Sequence, residues 1–142
     1  MGFFSKLKSA VGIGNPKLMV QLDATQVKRG EKITGKLQLT GTSGEVPVQS
    51  LIVEFIEVLT ERRYDDNLGK YVESKNEKGT LGRVVIDKKG QLVKEGETMN
   101  ESFEILVSSG AYPTAHPTSY ILRASADVPG LDPKHSQELF VM

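Results

Sequence analysis

The sequence predicts an all-β fold: a two-sheet antiparallel β-sandwich with a short N-terminal amphipathic helix. A charged glycine corner occurs twice, as Val27-Lys28-Arg29-Gly30-Glu31 and as Val93-Lys94-Glu95-Gly96-Glu97. Each corner suits a turn with positive φ, and alternating apolar residues follow it, as in a strand with one buried face. Turn signals recur about every 8–12 residues between short alternating segments, which is typical of a sandwich.

Size and composition are consistent with one globular domain. The chain has 142 residues, no Cys and a formal net charge of zero. A chain of this length hides about 70% of its unfolded surface on folding. The charges form no basic stripe and aromatic residues are few, so nucleic-acid binding is not expected. We divide the chain into a helix and turn at 1–16 and a sandwich domain at 17–142.

The N-terminal helix is predicted over residues 3–11, and the two glycines and the proline at 12–16 end it. At 100° per residue the apolar side chains share one face, and two lysines flank it. This candidate docking face consists of Phe3, Phe4, Leu7 and Val11, flanked by Lys6 and Lys8. It is expected to cover the protein's own sheet; the alternatives are a membrane interface and a groove on a partner or second protomer.

Strands are predicted in order over 18–22, 33–39, 51–59, 84–86, 92–93, 103–107, 120–126 and 139–141. Segment 51–59 is apolar on both faces, with Ile52, Ile56 and Val58 on the second face, so both faces should be covered. The polar stretch 61–79 is predicted to be a mobile hairpin or long loop. Asp87-Lys88-Lys89-Gly90 is predicted to be a hairpin turn.

The remaining connections carry proline or glycine. Residues 108–119 contain Gly110, Pro113 and Pro117, which predicts a crossover loop and not a strand. Pro129-Gly130 predicts the turn before the last strand.

The ordered motifs resemble the N-terminal half of arrestin-like proteins, whose sandwich is immunoglobulin-like. The resembling segments are Gly30-Glu31, Leu51-x-Val53-x-Phe55, Gly96-Glu97 before Phe103-x-Ile105, the loop with Pro113, and Tyr120-x-Leu122-x-Ala124. Within that superfamily, Gly2-Phe3-Phe4 through Val11-Gly12-Ile13-Gly14, and Asp132-Pro133-Lys134, resemble the bacterial sporulation-control proteins.

The resemblance implies two sheets packed face to face and a non-enzymatic adaptor or regulatory role inside a bacterial cell. Arrestin-like proteins usually carry two such sandwiches, whereas this sequence has room for one. Functions that reside between two sandwiches are therefore not carried over.

Catalytic and metal-binding chemistry finds little support in the sequence. His116 and His135 are predicted to be exposed loop residues, and they lack the close spacing of metal ligands even if Asp127 or Asp132 joined them. Asp65-Asp66-Asn67 lacks the alternating ligands of a calcium loop and is predicted to be a solvated hairpin tip. Arg123 and Lys88-Lys89 are predicted to be surface residues. No catalytic residue, metal site or cofactor is expected.

The leading functional hypothesis is a cytoplasmic module that binds proteins through its sheet edges and through segments 61–79 and 108–119. Lys6 and Lys8 interrupt the place of an apolar signal core, so export is not expected. A homodimer through a sheet edge or the N-terminal helix is one form this binding could take. The alternatives are a carbohydrate-type ligand-binding sandwich, for which Tyr64 and Tyr71 are the candidate aromatics, and a peripheral membrane adaptor.

Overall fold

A computed structural model describes residues 15–142 of the chain. Every secondary-structure element assigned in that range is a β-strand, which confirms the all-β class. The predicted helix over residues 3–11, and with it the docking face, lies outside the described residues. The strands are β1 Lys17–Leu22, β2 Gln26–Val27, β3 Lys32–Thr40, β4 Glu45–Asp65, β5 Lys70–Lys94, β6 Thr98–Leu106, β7 Thr118–Asp127 and β8 Lys134–Val141.

These strands form a three-stranded sheet of order β1-β3-β6 and a five-stranded sheet of order β2-β8-β7-β4-β5. The ladders are antiparallel as expected, except that β2 pairs with β8 in parallel. This exception arises because the chain leaves β1 in one sheet and crosses to the edge of the other, where β8 runs the same way.

One hydrophobic core joins the inner faces of the two sheets, which makes the fold a β-sandwich. The alternation predicted for 120–126 holds, since Tyr120, Leu122, Ala124 and Ala126 are all buried. Both sheets contribute to the core. The three-stranded sheet contributes Leu18, Val20, Ile33, Leu37, Leu39, Met99, Phe103 and Ile105. The five-stranded sheet contributes, among others, Val27, Val46, Val48, Leu51, Val53, Phe55, Val93, Leu139 and Val141.

The central strand β4 is buried on its outer face as well. Phe55 lies opposite Leu122 in the core, so the next pair along, Ile56 and Ile121, points to the outside of the sandwich. Ile56 is nevertheless only 2% exposed, and Val58 on the same face is 6% exposed. The expectation of a strand covered on both faces therefore holds at these two positions.

The two glycine corners have the predicted backbone. Gly30 has φ 85° and Gly96 has φ 78°, in the left-handed region that favours glycine. Each corner is closed in the same way, because the N–H of Glu31 donates to the Lys28 carbonyl and the N–H of Glu97 donates to the Lys94 carbonyl. The strands that follow, β3 and β6, pair with each other, so the sequence repeat produces two neighbouring strands.

The hairpin turn predicted at residues 87–90 is wrong. Strand β5 continues through it, and the chain bulges instead, since Ser50 pairs with Asp87 while Val48 pairs with Gln91. The backbone there is turn-like, with φ 54° at Lys89 and 77° at Gly90. A turn-forming sequence becomes a bulge because the long strand β4 keeps β5 paired on both sides of it.

The bulge also places Lys88 between the sheets. Its ammonium lies 2.5 Å from the Glu101 carboxylate of β6, and its side chain is only 12% exposed. The prediction that Lys88 is a surface residue is therefore wrong, since the bulge turns it toward the other sheet.

His135 forms a second link between the sheets. It lies in β8 and is half-buried, and its Nδ1 accepts a hydrogen bond of 3.0 Å from the N–H of Val20 in β1. The prediction of an exposed loop histidine is wrong here, because β8 begins at Lys134 and carries the ring toward the other sheet. His116 is exposed in the crossover, as predicted.

Candidate interaction surface at one end of the sandwich

The longest hairpin of the fold extends beyond the sheet that supports it. Strand β4 pairs with β7 only as far as Leu59, which lies opposite Thr118, but it pairs with β5 as far as Asp65. Residues 60–75 therefore form a two-stranded ribbon that leaves the sandwich, and we call it the arm. The hairpin predicted for 61–79 is thus present, as a regular ladder in place of a long loop.

One face of the arm carries an exposed aromatic cluster. Tyr64 and Tyr71 pair across the strands with ring centroids 5.2 Å apart and an edge-to-face angle of 73°. The guanidinium carbon of Arg62 lies 4.6 Å from the centre of the Tyr71 ring. These tyrosines are 52% and 59% exposed, and Leu68 at the tip is 60% exposed. Tyrosine and arginine are, with tryptophan, the residue types enriched among those that dominate protein–protein binding energy.

The tip of the arm is closed by Asp65. Its Oδ1 accepts hydrogen bonds from the N–H groups of Asn67, at 2.9 Å, and Leu68, at 3.3 Å. Its carbonyl accepts from the N–H of Gly69, whose φ is 64°. The predicted hairpin tip is therefore a turn, in which Asp66 and Asn67 are exposed.

The crossover loop lies beside the base of the arm. The N–H of Thr60 donates to the Pro117 carbonyl at 2.9 Å. Farther along the loop, the Tyr112 carbonyl accepts a hydrogen bond from the hydroxyl of Tyr120, whose ring is buried. The structure therefore brings together the two segments, 61–79 and 108–119, that the sequence analysis named separately.

A cleft of ≈ 540 Å³ opens between the two sheets at the same end. Its floor carries Glu57, whose side chain is only 10% exposed and whose carboxylate lies 3.7 Å from the ammonium of Lys78. Burial, and to a lesser extent the Glu57 carboxylate, raises the pKa of Tyr120 above its ordinary 10.0. The cleft is lined by Phe55, Glu57, Leu81, Leu106, Ser108, Ser109, Gly110, Ala111 and Tyr112.

Other charged residues named from the sequence have partners on the sheet. Arg123 points to the outer face as the alternation predicted, but its side chain is only 21% exposed and pairs with the Glu77 carboxylate of β5. Within residues 15–142, no three metal-ligating side chains lie close enough together to hold an ion.

Sequence reasoning missed the buried carboxylate of Glu57. The alternation of β4 contained the information, since Glu57 lies opposite the buried Tyr120 and so points inward. The inner face accommodates this acidic side chain because the sandwich opens into the cleft at that point.

Comparison with known families decides what kind of domain this is. The family model for Spo0M, described as SpoOM protein, matches residues 4–141. The chain belongs to the Spo0M family. This confirms the resemblance to bacterial sporulation-control proteins, and with it the arrestin-like class.

A solved structure agrees with this assignment. The fold is similar to the crystal structure of Spo0M, a sporulation control protein from Bacillus subtilis, with a TM-score of 0.69 and 15% sequence identity. The match covers 91% of this chain and 50% of that one, so this chain spans about half the length of the Bacillus subtilis protein. At this identity the likeness shows the fold alone. No curated protein matches the chain.

Within residues 15–142, no helix has both the length and the apolar character that crossing a bilayer requires.

Proposed function

We propose that this chain is a non-enzymatic protein-interaction module of the cytoplasm, serving a regulatory protein of the sporulation-control type. Its partner is bound at the end of the sandwich that carries the arm and the crossover loop. The supporting observation is the aromatic cluster of the arm. Tyr64 and Tyr71 remain more than half exposed on a ribbon that contributes nothing to the core, so burial in the core does not account for them.

The cleft does not favour hydrolysis by paired carboxylates. Among its described lining residues Glu57 is the one carboxylate, and its charged neighbour is Lys78. General acid–base hydrolysis by paired carboxylates would need a second acid at a defined distance.

The geometry of the arm disfavours the carbohydrate alternative. A sugar-binding platform needs an open aromatic face, whereas the Tyr64 and Tyr71 rings meet edge to face and Arg62 occupies one face of Tyr71. The membrane-adaptor alternative depends on residues 3–11. Substituting Phe4 and Leu7 with Asp tests it, because a membrane anchor predicts loss of binding to anionic vesicles with unchanged thermal stability.

The proposal is tested by affinity capture from the native cytosol with a double variant, Tyr64→Ser with Tyr71→Ser. Leu92→Ser is the matched control, because Leu92 is 45% exposed on the same strand but lies near the opposite end of the sandwich. We expect the wild-type and control chains to capture a reproducible protein partner. We expect the double variant to bind that partner at least tenfold more weakly, a loss of roughly 1.4 kcal/mol in binding free energy. Retention of that partner by the double variant, or the absence of any protein partner, would contradict the proposal.

A further inference from the structure

We propose that a second copy of this chain is one partner of the arm, bound by antiparallel pairing of the two β5 strands about a two-fold axis. The inference deepens the proposed function and rests on it, since it identifies one occupant of the same surface. It is carried by three features of residues 70–77: an open edge, a regular backbone and a self-complementary order of charges.

The edge is open among the described strands. β5 lies at the outside of the five-stranded sheet and pairs only with β4. Unpaired N–H and C=O groups along such an edge are a template for another strand. Pairing two arms would make each two-stranded ribbon part of a four-stranded sheet, and an isolated two-stranded ribbon is only marginally stable.

The longest regular stretch of β5 is the one that lies in the arm and at its base. Residues 70–77 follow β4 in unbroken register, from Lys70 opposite Asp65 to Glu77 opposite Val58. The register then shifts beside Lys78 and Leu81, and again at the bulge of residues 88–90. Bulges disrupt pairing at a sheet edge, so the edge of β5 is protected from pairing near the sandwich and remains able to pair along the arm.

Two seven-residue registers fit within residues 70–77, and the charges favour one of them. Facing side chains of antiparallel strands point to the same side, so a two-fold pairing must be centred on a residue. Pairing 70–76 with itself is centred on Glu73 and places the two Glu73 carboxylates opposite each other. Pairing 71–77 with itself is centred on Ser74, and then each Glu73 faces the Lys75 of the other copy.

The remaining pairs of the Ser74-centred register are compatible as well. Tyr71 faces Glu77 and Val72 faces Asn76, so no like charges are opposed within residues 71–77. The next pair would oppose Lys70 and Lys78, and the regular ladder stops before it, at the register shift beside Lys78. Glu73 and Lys75 are both exposed and available for these contacts. Within its own arm Glu73 lies opposite Arg62, so in the dimer its carboxylate would lie between two cations.

The test is sedimentation equilibrium of the full chain across a concentration series. We compare the wild type with Glu73→Lys, with Lys75→Glu and with the double variant that carries both changes. Each single change opposes like charges twice across the axis, so we expect a dissociation constant at least about tenfold higher. The double variant restores both pairs and should associate like the wild type, as should an equimolar mixture of the two single variants.

Glu61→Lys is the matched control, because Glu61 lies in the arm on β4, away from the edge. It should leave association unchanged. The Glu73→Lys variant and the double variant share the new lysine opposite Arg62, so recovery in the double variant excludes a general loss of arm structure. Circular dichroism and thermal melting verify the fold of each variant.

A wild-type chain that stays monomeric throughout the series would overturn the inference. So would a dimer that the single changes do not weaken, or one that the double change does not restore. Failure here is distinguishable from failure of the proposed function: a monomer whose captured partner still depends on Tyr64 and Tyr71 would leave that function standing.

Discussion

Tyr120 illustrates how one side chain both fills the core and fastens a loop. Its ring is 1% exposed and stacks on Phe55 with the centroids 5.2 Å apart. Its hydroxyl donates to the Tyr112 carbonyl and so holds the crossover against the sandwich. A hydroxyl that returns to the backbone in this way is a tyrosine corner, a recurring feature of immunoglobulin-like sandwiches.

Replacing Tyr120 with Phe keeps the ring and removes this hydrogen bond. We expect the free energy of unfolding to fall by about 1 kcal/mol at neutral pH, as measured by denaturant titration. Tyr112→Phe is the control, because the backbone carbonyl that accepts the bond is retained and its ring is exposed. A Tyr120→Phe variant as stable as the wild type would show that the bond adds nothing.

The same residue gives a pH dependence. Burial raises the pKa of Tyr120 in the folded state above 10.0, so the unfolded chain loses this proton first as the pH rises. The contribution of the protonated Tyr120 hydroxyl to the free energy of unfolding is complete below pH 10.0 and is lost as the pH rises through the folded pKa. Above pH 10.0 the free energy of unfolding, measured by denaturant titration, should fall faster with pH for the wild type than for Tyr120→Phe. Parallel plots of this free energy against pH would contradict the prediction.

At the scale of elements, the arm is an extension that the core does not require. The core cluster contains no residue of 60–75, and the arm's cross-strand contacts lie beyond the last pairing of β4 with β7. The sequence indicated a polar hairpin in this region. It did not indicate that the strands continue as a regular ladder, because polar alternation leaves the buried face undefined.

Removing residues 61–74 and joining Thr60 to Lys75 through Asn-Gly should leave a folded sandwich. Thr60 and Lys75 already face each other, and Asn-Gly supports the tight turn of a two-residue hairpin. We expect the free energy of unfolding to change by less than about 1 kcal/mol, while partner capture is lost. An unfolded or aggregated product would show that the arm supports the fold and would weaken the case for a binding role.

At the scale of the whole molecule, two polar contacts connect the sheets at their sides. Lys88 reaches Glu101 from β5 to β6, and His135 accepts from the N–H of Val20 between β8 and β1. A neutral imidazole is required for the second contact, because a ring protonated on both nitrogens has no acceptor. Together they fix the two sheets relative to each other where the apolar core ends.

Replacing His135 with Ala leaves the buried N–H of Val20 without this acceptor. We expect the free energy of unfolding to fall by about 1–3 kcal/mol, measured by thermal or denaturant melting. His116→Ala is the control. That imidazole is exposed on the crossover loop, so its removal should change the free energy of unfolding little. Equal effects of the two changes would contradict a role for His135 in joining the sheets.

The sequence by itself determined the local features of this protein. Alternation identified the inward residues of β7, and the glycine corners at Gly30 and Gly96 have the positive φ that their composition predicts. Both depend on a residue and its near neighbours. Family membership was also visible in the order of such motifs.

Only the tertiary structure decided what these segments pair with. The turn sequence at residues 87–90 became a bulge because the distant strand β4 holds β5 on both sides of it. The crossover and the arm became one surface because Thr60 meets Pro117. Local backbone preference is compatible with several pairings, and the choice among them depends on burying both sheets against one core.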